Sequence, residues 1–373
     1  MENRVAGRRR VGKELRLLAE EVAFVGVDVH KKSYQVSVWT EGREWVAQWS
    51  QPADCEALCR RLEPVRTQVA HLVYEAGPTG LGLVRVLRAR GFSADVVAAS
   101  KTPVAAGRSN KSDRRDAAAL ARLDAKGLLT AIYVHTPQEE GDRQVLRRRG
   151  QMVGDMSRTQ HRIRSFLLQH GIAEPAGLRH WGRVAVAELR GLVLLGELRF
   201  CLDLLLDDLE HGRAQLVAAA RKVLELAARE RHAAAVACMR SVPGVGLLTP
   251  MTFATELPRP ERFATPEAIG AITGLAPRVS RSGEMAKGGP ILKTGNARLR
   301  RVLVQSAWQW VRLDPAAKDL FRHLVGETGC VHKAIVAVAR HLAVLLWHLV
   351  TTGSTYTPGQ PGAQEPEPAA TEA

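Results

Sequence analysis

Four carboxylates stand out because their positions in the chain could bring them together around metal ions. Asp113 and Asp116 occupy the i and i+3 positions of a helical stretch in KSDRRDAAALARL. Asp28 lies inside the apolar run AFVGVDVHK, and Glu75 closes the apolar run in HLVYEAGP. A carboxylate within a core strand costs free energy unless its charge is compensated. Divalent cations that serve phosphoryl transfer take oxygen ligands of this kind, so the pattern predicts four acids around metal ions.

A second segment with chemical potential, GLAPRVSRSGEMAKGGPILKTGNARLRR, combines serines, glycines and cations. Ser280 and Ser282 stand beside a glycine-rich stretch, and Asn296 is expected to cap a helix that begins at Ala297. The cations of the segment are Lys287, Lys293, Arg298, Arg300 and Arg301. A serine near cations could be a phosphoryl-transfer nucleophile, because cations stabilise the developing negative charge. Taken alone, a loop serine is more often a turn residue.

The charge of the chain favours a polyanionic partner. The 373 residues carry a formal net charge of +15. Together with the metal-binding acids, this charge points to an enzyme that cuts a nucleic acid, whereas a solvated basic surface without specific function is the alternative. Five scattered cysteines show no CxxC or Cys/His ligand spacing, so they indicate neither a disulfide framework nor a zinc site.

The elements that must position the acids have a distinctive order. Residues 1–21 predict a basic arm, and residues 22–136 predict an α/β domain. Three hairpin-linked strands come first, at AFVGVDVHK, SYQVSVWT and REWVAQWS. A helix, the strand HLVYEAGP, a second helix, the strand ADVVAAS and a helix from Ser112 onward follow. This is the order of a ribonuclease H-like domain, in which the first strand, the fourth strand and a late helix meet at one end of the sheet.

Each acid also has a structural explanation of its own. Asp28 fits a buried, hydrogen-bonded carboxylate, and Glu75 fits the end of a strand before the turn GPTG. Asp113 follows Ser112, so a negative charge in the first helical turn is favoured without any catalysis. We prefer the catalytic interpretation because the predicted fold brings all four acids within metal-sharing distance.

Residues 137–238 predict a linker of two long helices packed as an antiparallel coiled coil. Apolar residues recur there at alternating spacings of three and four, from Met152 to Phe166 and from Leu198 to Leu226. The GIAEPAG stretch ends the first helix, because its glycine and proline cannot continue it. The first helix carries Arg147, Arg148 and Arg149, which fit a solvated face and equally a face toward nucleic acid or another protomer.

Residues 239–352 predict a mainly helical C-terminal domain. It opens with SVPGVG at Ser241–Gly246, whose glycines fit a helix–helix turn and equally a backbone site for phosphate. The apolar stretch AIVAVARHLAVLLWHLV is interrupted by Arg340 and two histidines, so we expect a core helix. Residues 353–373 are rich in Pro, Gly, Glu and Ala and predict a disordered tail.

The motifs together resemble those of a known family. VGVDVHK, VYEAGPTG, KSDRRDAAALA, SVPGVG, GLAPRVSRSG, GPILKTGNARLR and KAIVAVAR follow one another in the order found in DEDD transposases of bacterial insertion sequences, the group that includes the Piv-type invertases. The resemblance covers about residues 22–350. It implies a RuvC-like DEDD domain, a coiled-coil linker and a C-terminal transposase domain with an essential serine.

By motif match, the resemblance assigns metal ligation to Asp28, Glu75, Asp113 and Asp116. It assigns the nucleophile to Ser282, with Ser280 two residues away as the alternative. The implied cofactor is Mg²⁺, as two ions for which Mn²⁺ can substitute. The implied partners are double-stranded DNA, a structured guide RNA from the element and further copies of the chain as a dimer or tetramer. No membrane partner is expected, and the expected location is the bacterial cytoplasm at the nucleoid.

The favoured function is therefore a DNA transposase or recombinase in which the acids activate Ser282 for attack on a DNA phosphate. Two alternatives remain. A RuvC-like junction resolvase would use metal-activated water in place of serine and form no covalent intermediate. A non-catalytic nucleic-acid-binding regulator would be a different class of protein, and the intact set of four acids argues against it.

Overall fold

The structure is a computed structural model that describes residues 15–99, 102–103, 113–282, 285–291 and 294–358, with the backbone alone for residues 113–114, 278–282 and 285–290. Contacts divide the chain into two compact units, Met1–His135 and Thr136–Ala373. Most of the predicted N-terminal arm, and the predicted tail from residue 359 onward, lie outside the described residues. The finer division of the second unit into a linker and a C-terminal domain stays a prediction.

The first unit is built on a five-stranded mixed sheet. Its strands are β1 (Ala23–Val29), β2 (Ser33–Thr40), β3 (Glu44–Pro52), β4 (Val69–Glu75) and β5 (Ala94–Val97), and its helices are α1 (Cys55–Leu62), α2 (Gly82–Ala89) and α3 (Asp113–Ala125). The strand order is β3-β2-β1-β4-β5. β1, β2 and β3 pair antiparallel, whereas β4 pairs parallel with β1 and with β5.

Helices cover both faces of this sheet, which explains its continuous apolar strands. On one face, Val25 and Val27 of β1 pack with leucines of α1 and α2, among them Leu58 and Leu87. On the other face, α3 packs across β1, β2 and β4, and Leu120 closes a small cluster with Val73 and Val97. Three hairpin-linked strands followed by alternating helices and strands are the predicted order, and the α/β part of the predicted fold class is confirmed.

The described residues of the second unit are helical apart from one hairpin and the connecting loops. Its helices are α4 (Pro137–Gln169), α5 (Arg183–Arg190), α6 (Gly196–Ala227), α7 (Glu230–Arg240), α8 (Leu248–Glu256), α9 (Pro266–Thr273), α10 (Ala297–Leu313), α11 (Pro315–Thr328) and α12 (Val331–Thr352). The hairpin consists of β6 (Pro277–Ser282) and β7 (Met285–Ile291). A Thr136–Glu139 capping box with Pro137 in the first turn starts α4. The α part of the predicted class is confirmed.

The two long helices α4 and α6 pack along each other in opposite directions. Leu146, early in α4, clusters with Val223 and Leu226, late in α6. At the other end, Ile163 of α4 clusters with Leu202. Between them, Gly212 stands close enough to Met156 that a Cβ at position 212 would lie 3.3 Å from the Met156 Cγ. The apolar stripes predicted from sequence thus face each other within one chain.

A large apolar core joins α7 to α12. The helix α12 is long and apolar enough to cross a membrane by length and composition alone, yet 56% of its most apolar window is buried. Its Leu342 and Leu346 are inaccessible to solvent and pack with Leu303 of α10. These contacts fit the core helix that we expected.

The SVPGVG stretch forms the turn between α7 and α8. Gly244 has a φ of 81°, and a Cβ there would lie 2.8 Å from Gln309 Cβ and 2.9 Å from the Trp310 backbone nitrogen. Only glycine allows the turn to approach α10 this closely. Of the two interpretations of this motif, these contacts support the helix–helix turn.

Candidate active site and serine hairpin

Asp28 and Glu75 stand side by side at one end of the sheet. The parallel register pairs Val27 of β1 with Tyr74 of β4, and each acid is the next residue on its strand. Asp28 is less buried than its apolar neighbours predict, with 23% of its side chain exposed and the Oδ2 atom 3.1 Å from His30 Nε2. The position at a strand end, one residue before β1 terminates, explains this access to solvent.

The helix α3 brings the other two acids toward the same end. Its C-terminal part is tied to the start of β4, where both Asp124 carboxylate oxygens lie 2.9 Å from His71 Nδ1. Its middle lies against Gly26 of β1, so the helix runs opposite to β1. Asp116 and the backbone of Asp113 therefore lie toward Asp28 and Glu75. Asp28 is roughly 7 Å beyond Gly26 along the strand, and Asp113 is roughly 6 Å before Ala117 along the helix axis.

Gly26 permits an unusually close approach of α3 to the sheet. A Cβ at position 26 would lie 2.1 Å from the Ala117 carbonyl oxygen and 2.6 Å from the Ala121 nitrogen. Backbone atoms cannot give way as the end of a flexible side chain does. Gly26 also shares a strand face with Asp28, because alternate residues of a strand point to the same side. The spacing between α3 and the acid on β1 is thus set by the absence of a side chain.

The opposite end of α3 has a different electrostatic character. The Asp124 hydrogen bond raises the pKa of His71 against the effect of partial burial, and Asp95 acts in the same direction. Arg88 in turn donates to Asp95. This charged cluster ties the C-terminal end of α3 to β4 and β5. The predicted metal ligands Asp113 and Asp116 lie at the other end of the helix.

The described side chains include three of the four predicted ligands. Among all described side chains, no group of three or more His, Cys, Asp or Glu residues is close enough together to hold a metal ion. The side chain of the fourth predicted ligand, Asp113, lies outside the described part. The donor chemistry nevertheless fits a hard divalent cation, because Asp28, Glu75 and Asp116 offer only carboxylate oxygens. Metal ligation by the set of four stays a prediction.

The candidate serines lie in a strand, so the expectation of a loop serine is wrong. Ser282 is the last residue of β6 and pairs with Met285 of β7, and Ser280 pairs with Lys287. Since they are two residues apart on one strand, the two serines share a face. A β-hairpin was missed from sequence because its glycines, which usually indicate a loop, occur inside β7. The side chains of Ser280, Ser282 and Lys287, and all of Lys293, lie outside the described part.

The base of the hairpin is held by backbone contacts. Gly295 lies against Gly274 so closely that a Cβ at position 295 would be 2.2 Å from the Gly274 nitrogen. The Asn296 N–H donates to the Ile272 carbonyl at 2.7 Å. The Asn296 side chain then accepts from the N–H groups of Arg298 and Leu299, which confirms the predicted cap of α10.

A buried carboxylate without any distinguishing sequence signal links these elements. Glu256, at the end of α8, accepts two hydrogen bonds from Arg147 of α4 at 2.8 and 2.7 Å and one from Asn296 Nδ2 at 2.9 Å. Burial alone would raise the pKa of Glu256, but the hydrogen bonds from Arg147 and Asn296 outweigh it and lower the pKa. Nothing in ATELPRP distinguishes Glu256 from a surface acid, because its partners are distant in the chain.

The predicted nucleic-acid-binding arginines differ in their surroundings. Arg147 is paired with Glu256, and Arg300 donates to the backbone carbonyls of Thr273 and Gly274. Arg148 is exposed, 3.8 Å from Asp155. Arg298 and Arg301 are exposed, whereas Arg149 is partly buried. Contact with nucleic acid stays a prediction for all of them.

Comparisons with known proteins identify the chain as a transposase. A family model for DEDD transposases of the IS110 group matches residues 25–172. A second, described as the transposase IS116/IS110/IS902 family, matches residues 236–322.

Relatives agree with both models. The y4qE protein of Sinorhizobium fredii, named as a candidate transposase, is 35% identical over 77% of this chain and 72% of its own length. The transposase for the insertion sequence element IS1533 of Leptospira borgpetersenii is 27% identical over 77% of this chain and 84% of its own. The transposase for IS1111A of Coxiella burnetii is 26% identical over 68% and 70%. This chain belongs to the IS110 family of insertion-sequence transposases, which are enzymes that cut and rejoin DNA.

Proposed function

We propose that the chain recombines double-stranded DNA through a metal site at Asp28, Glu75, Asp113 and Asp116 and a nucleophile at Ser282. The first unit would be a RuvC-like, ribonuclease H-like domain and the α4–α6 pair an antiparallel coiled-coil linker. The observation that carries the proposal is the shared direction of three elements: the acid-bearing ends of β1 and β4 and the N-terminal end of α3 lie toward one end of the sheet. This arrangement of β1, β4 and α3 supports the motif match that assigned the four acids.

The four acids would hold Mg²⁺, as two ions for which Mn²⁺ can substitute. When bound, such ions neutralise charge on the attacking and leaving oxygens of an in-line displacement at phosphorus. The protein's own contribution is to fix the acids before substrate arrives. The paired ends of β1 and β4 hold Asp28 and Glu75, and Gly26 sets the height of α3 above them.

Ser282 would form a covalent intermediate with DNA. Its Oγ attacks a backbone phosphate, so that an Oγ–P bond forms while the P–O bond to one deoxyribose breaks. The serine loses its proton and the departing deoxyribose oxygen gains one, which leaves a phosphoserine and a free strand hydroxyl. A hydroxyl of a second strand then attacks the phosphoserine, forms the new P–O bond and releases the serine.

The partners follow from charge and family. The net charge of +15 supports binding of double-stranded DNA and of a structured guide RNA from the element, at the nucleoid in the cytoplasm. Arg147, Arg148, Arg149, Lys287, Lys293, Arg298, Arg300 and Arg301 are the candidate contacts.

Assembly of several copies is part of the proposal. Since α4 and α6 satisfy each other's apolar stripes within one chain, those stripes do not demand a second copy. Large apolar side chains nevertheless remain exposed on α5, the loop after it and the start of α6, with Val193, Leu195 and Phe200 at 99%, 75% and 63% exposure. Such a patch supports contact between protomers as a dimer or tetramer.

The test is a denaturation-resistant protein–DNA adduct. Ser282→Ala is expected to eliminate the adduct and leave metal binding unchanged, while Ser280→Ala, a matched change on the same strand face, keeps it. A cysteine at position 282 is expected to retain weak activity, since a thiolate is also a nucleophile.

Two other outcomes separate the alternatives. Loss of the adduct in Ser280→Ala alone would move the nucleophile to Ser280 and keep the mechanism. Metal-dependent nicking that never gives an adduct would establish the junction-resolvase mechanism, with water in place of serine.

A further inference from the structure

A cleft between α4, α8 and α10 is unusually rich in arginine. It has a volume of about 450 Å³, within the range of ~300–1,000 Å³ that small-molecule sites occupy. Its polar lining consists mainly of Arg147, Arg149, Arg298, Arg301, Gln151 and Gln305. All of these side chains belong to the second unit.

The charges of the cleft do not balance. Among the described residues that line the cleft, Glu256 is the only acid, and Arg147 donates hydrogen bonds to both of its carboxylate oxygens. Three guanidinium groups, those of Arg149, Arg298 and Arg301, therefore face a common space without a carboxylate of their own in that lining. A cleft with excess charge of one sign concentrates ligands of the opposite sign.

One buried nitrogen atom of Arg149 lacks a hydrogen-bond partner among the described residues. Within the described part of the chain, its Nε atom is buried and has no hydrogen-bond partner. Burial lowers the pKa of Arg149, as expected of a cation that has given up water without gaining an anion. Because Arg149 lines the cleft, an anion bound there would supply the counter-charge that this guanidinium group lacks in the lining.

We propose that this cleft binds one backbone phosphate of a nucleic acid, with Arg149 as its central ligand and Arg298 and Arg301 at its rim. The assignment rests on the proposed nucleic-acid chemistry of the chain. A guanidinium group matches the spacing of phosphate oxygens and binds them in pairs. Gln151 and Gln305 add uncharged donors and acceptors of the kind that position a sugar–phosphate backbone. With Glu256 already paired, the described residues of the lining offer no free carboxylate to a metal cation.

The probes are a mixed-sequence DNA duplex and an RNA hairpin, because phosphate contacts are independent of sequence. The full-length wild type and Arg149→Gln are titrated with each probe over a range of salt concentrations. For the variant we expect weaker binding, by about tenfold at low salt. We also expect the slope of log affinity against log salt to fall by about 0.9 with the DNA duplex, as for one lost phosphate contact, and to fall with the RNA hairpin as well.

The control variant is Arg312→Gln. Arg312 is exposed on the same helix α10, about 16 Å along the axis from Arg301, and lies outside the cleft lining. Its loss should change affinity by less than twofold. Thermal melting of the nucleic-acid-free protein separates structural from binding roles. Arg149→Gln is expected to melt at the wild-type temperature or above, because it removes a partly buried charge whose Nε atom has no hydrogen-bond partner within the described part of the chain.

Each outcome decides between the proposals. Weaker binding of one probe alone assigns the phosphate to that nucleic acid, and weaker binding of both assigns a shared backbone site. If Arg149→Gln binds with wild-type affinity and the same salt dependence, the cleft assignment is overturned. Salt-dependent binding by the wild type would still support the proposed function in that case. A wild type that binds neither probe would overturn the proposed function itself.

Discussion

At the scale of single residues, Glu256 is a buried charge that links three helices of the second unit. It lies at 7% exposure and joins α4 through Arg147 to the start of α10 through Asn296. Because Asn296 both caps α10 and follows the strand β7, this carboxylate fixes the place where the serine hairpin meets the helical core. A buried ion pair of this kind stabilises only while both partners remain.

Glu256→Gln should destabilise the second unit, because it leaves Arg147 without its anion. The expected loss is about 2–4 kcal/mol in the free energy of unfolding, below the full cost of breaking a buried pair because Arg147 is partly exposed. Urea denaturation measures it, with Glu261→Gln, an exposed acid nearby, as the control. Equal stability of both variants would contradict the assigned role.

The same carboxylate predicts a pH dependence. A lowered pKa in the folded state means that its stabilisation is present above the unfolded-state pKa of about 4.3 and is lost as the pH falls through the lower folded value. The stability difference between wild type and Glu256→Gln should therefore shrink below about pH 4. A difference that stays constant down to the folded-state pKa would show that the charge of Glu256 is not its contribution.

Neutralising an acid at the sheet end should not destabilise the protein, in contrast to neutralising Glu256. Asp28→Asn and Asp113→Asn are expected to abolish strand cleavage and leave nucleic-acid binding largely intact. Without metal, the melting temperature should stay unchanged or rise, since one of several neighbouring negative charges is removed. Calorimetry in the presence of a chelator is the measurement, with the exposed Glu41→Gln as the control. A large loss of melting temperature would make these acids structural.

At the scale of elements, the close contact between β1 and α3 governs the site. Gly26→Ala places a methyl group 2.1 Å from the Ala117 carbonyl, so α3 must move away from the strand that carries Asp28. Overpacking of this kind costs about 1–3 kcal/mol, and a displacement of ~1 Å at a reacting centre can cost ~100-fold in rate.

We therefore expect Gly26→Ala to lose cleavage far more than stability. Gly42→Ala in the β2–β3 turn, where a Cβ meets nothing within 4 Å, is the matched control and should match the wild type in both. Cleavage rates and melting temperatures measured on the same preparations compare the two effects. A Gly26→Ala protein that cleaves at the wild-type rate would show that α3 does not set the spacing.

The elements that sequence predicted correctly are those specified locally. The strands β1, β2 and β3 are adjacent in sequence and joined by short turns, and the apolar stripes of α4 and α6 repeat within each helix. What sequence missed depends on distant partners. Gly26 looks like an ordinary strand glycine until α3 lies on it, and Glu256 has its partners about a hundred residues before it and forty after it along the chain. The glycines at positions 288 and 289 predict a loop, whereas the structure places them inside the strand β7.

At the scale of the whole molecule, the apolar side chains on α5, the following loop and the start of α6 are left exposed by the part of the chain that the structure describes. The apolar stripes of α4 and α6 pack against each other, but these side chains lie outside that contact and are exposed to solvent. Leu195 and Phe200 are 75% and 63% exposed, so a charged residue at either position costs the fold little. The patch can therefore be altered without disturbing the core beneath it.

A double Leu195→Glu, Phe200→Glu variant is expected to be a monomer where the wild type forms a dimer or tetramer. Burying the introduced carboxylates between protomers would leave them without partners, which association cannot offset. Multi-angle light scattering, with and without nucleic acid, measures the change, and circular dichroism should show unaltered helix content. Leu224→Glu is the control for added charge and should assemble normally. Leu224 lies on α6, as Phe200 does, and is 60% exposed. If the wild type contains one protomer both free and bound to nucleic acid, the proposed assembly into a dimer or tetramer is wrong. A double variant that still assembles would place the interface elsewhere on the chain.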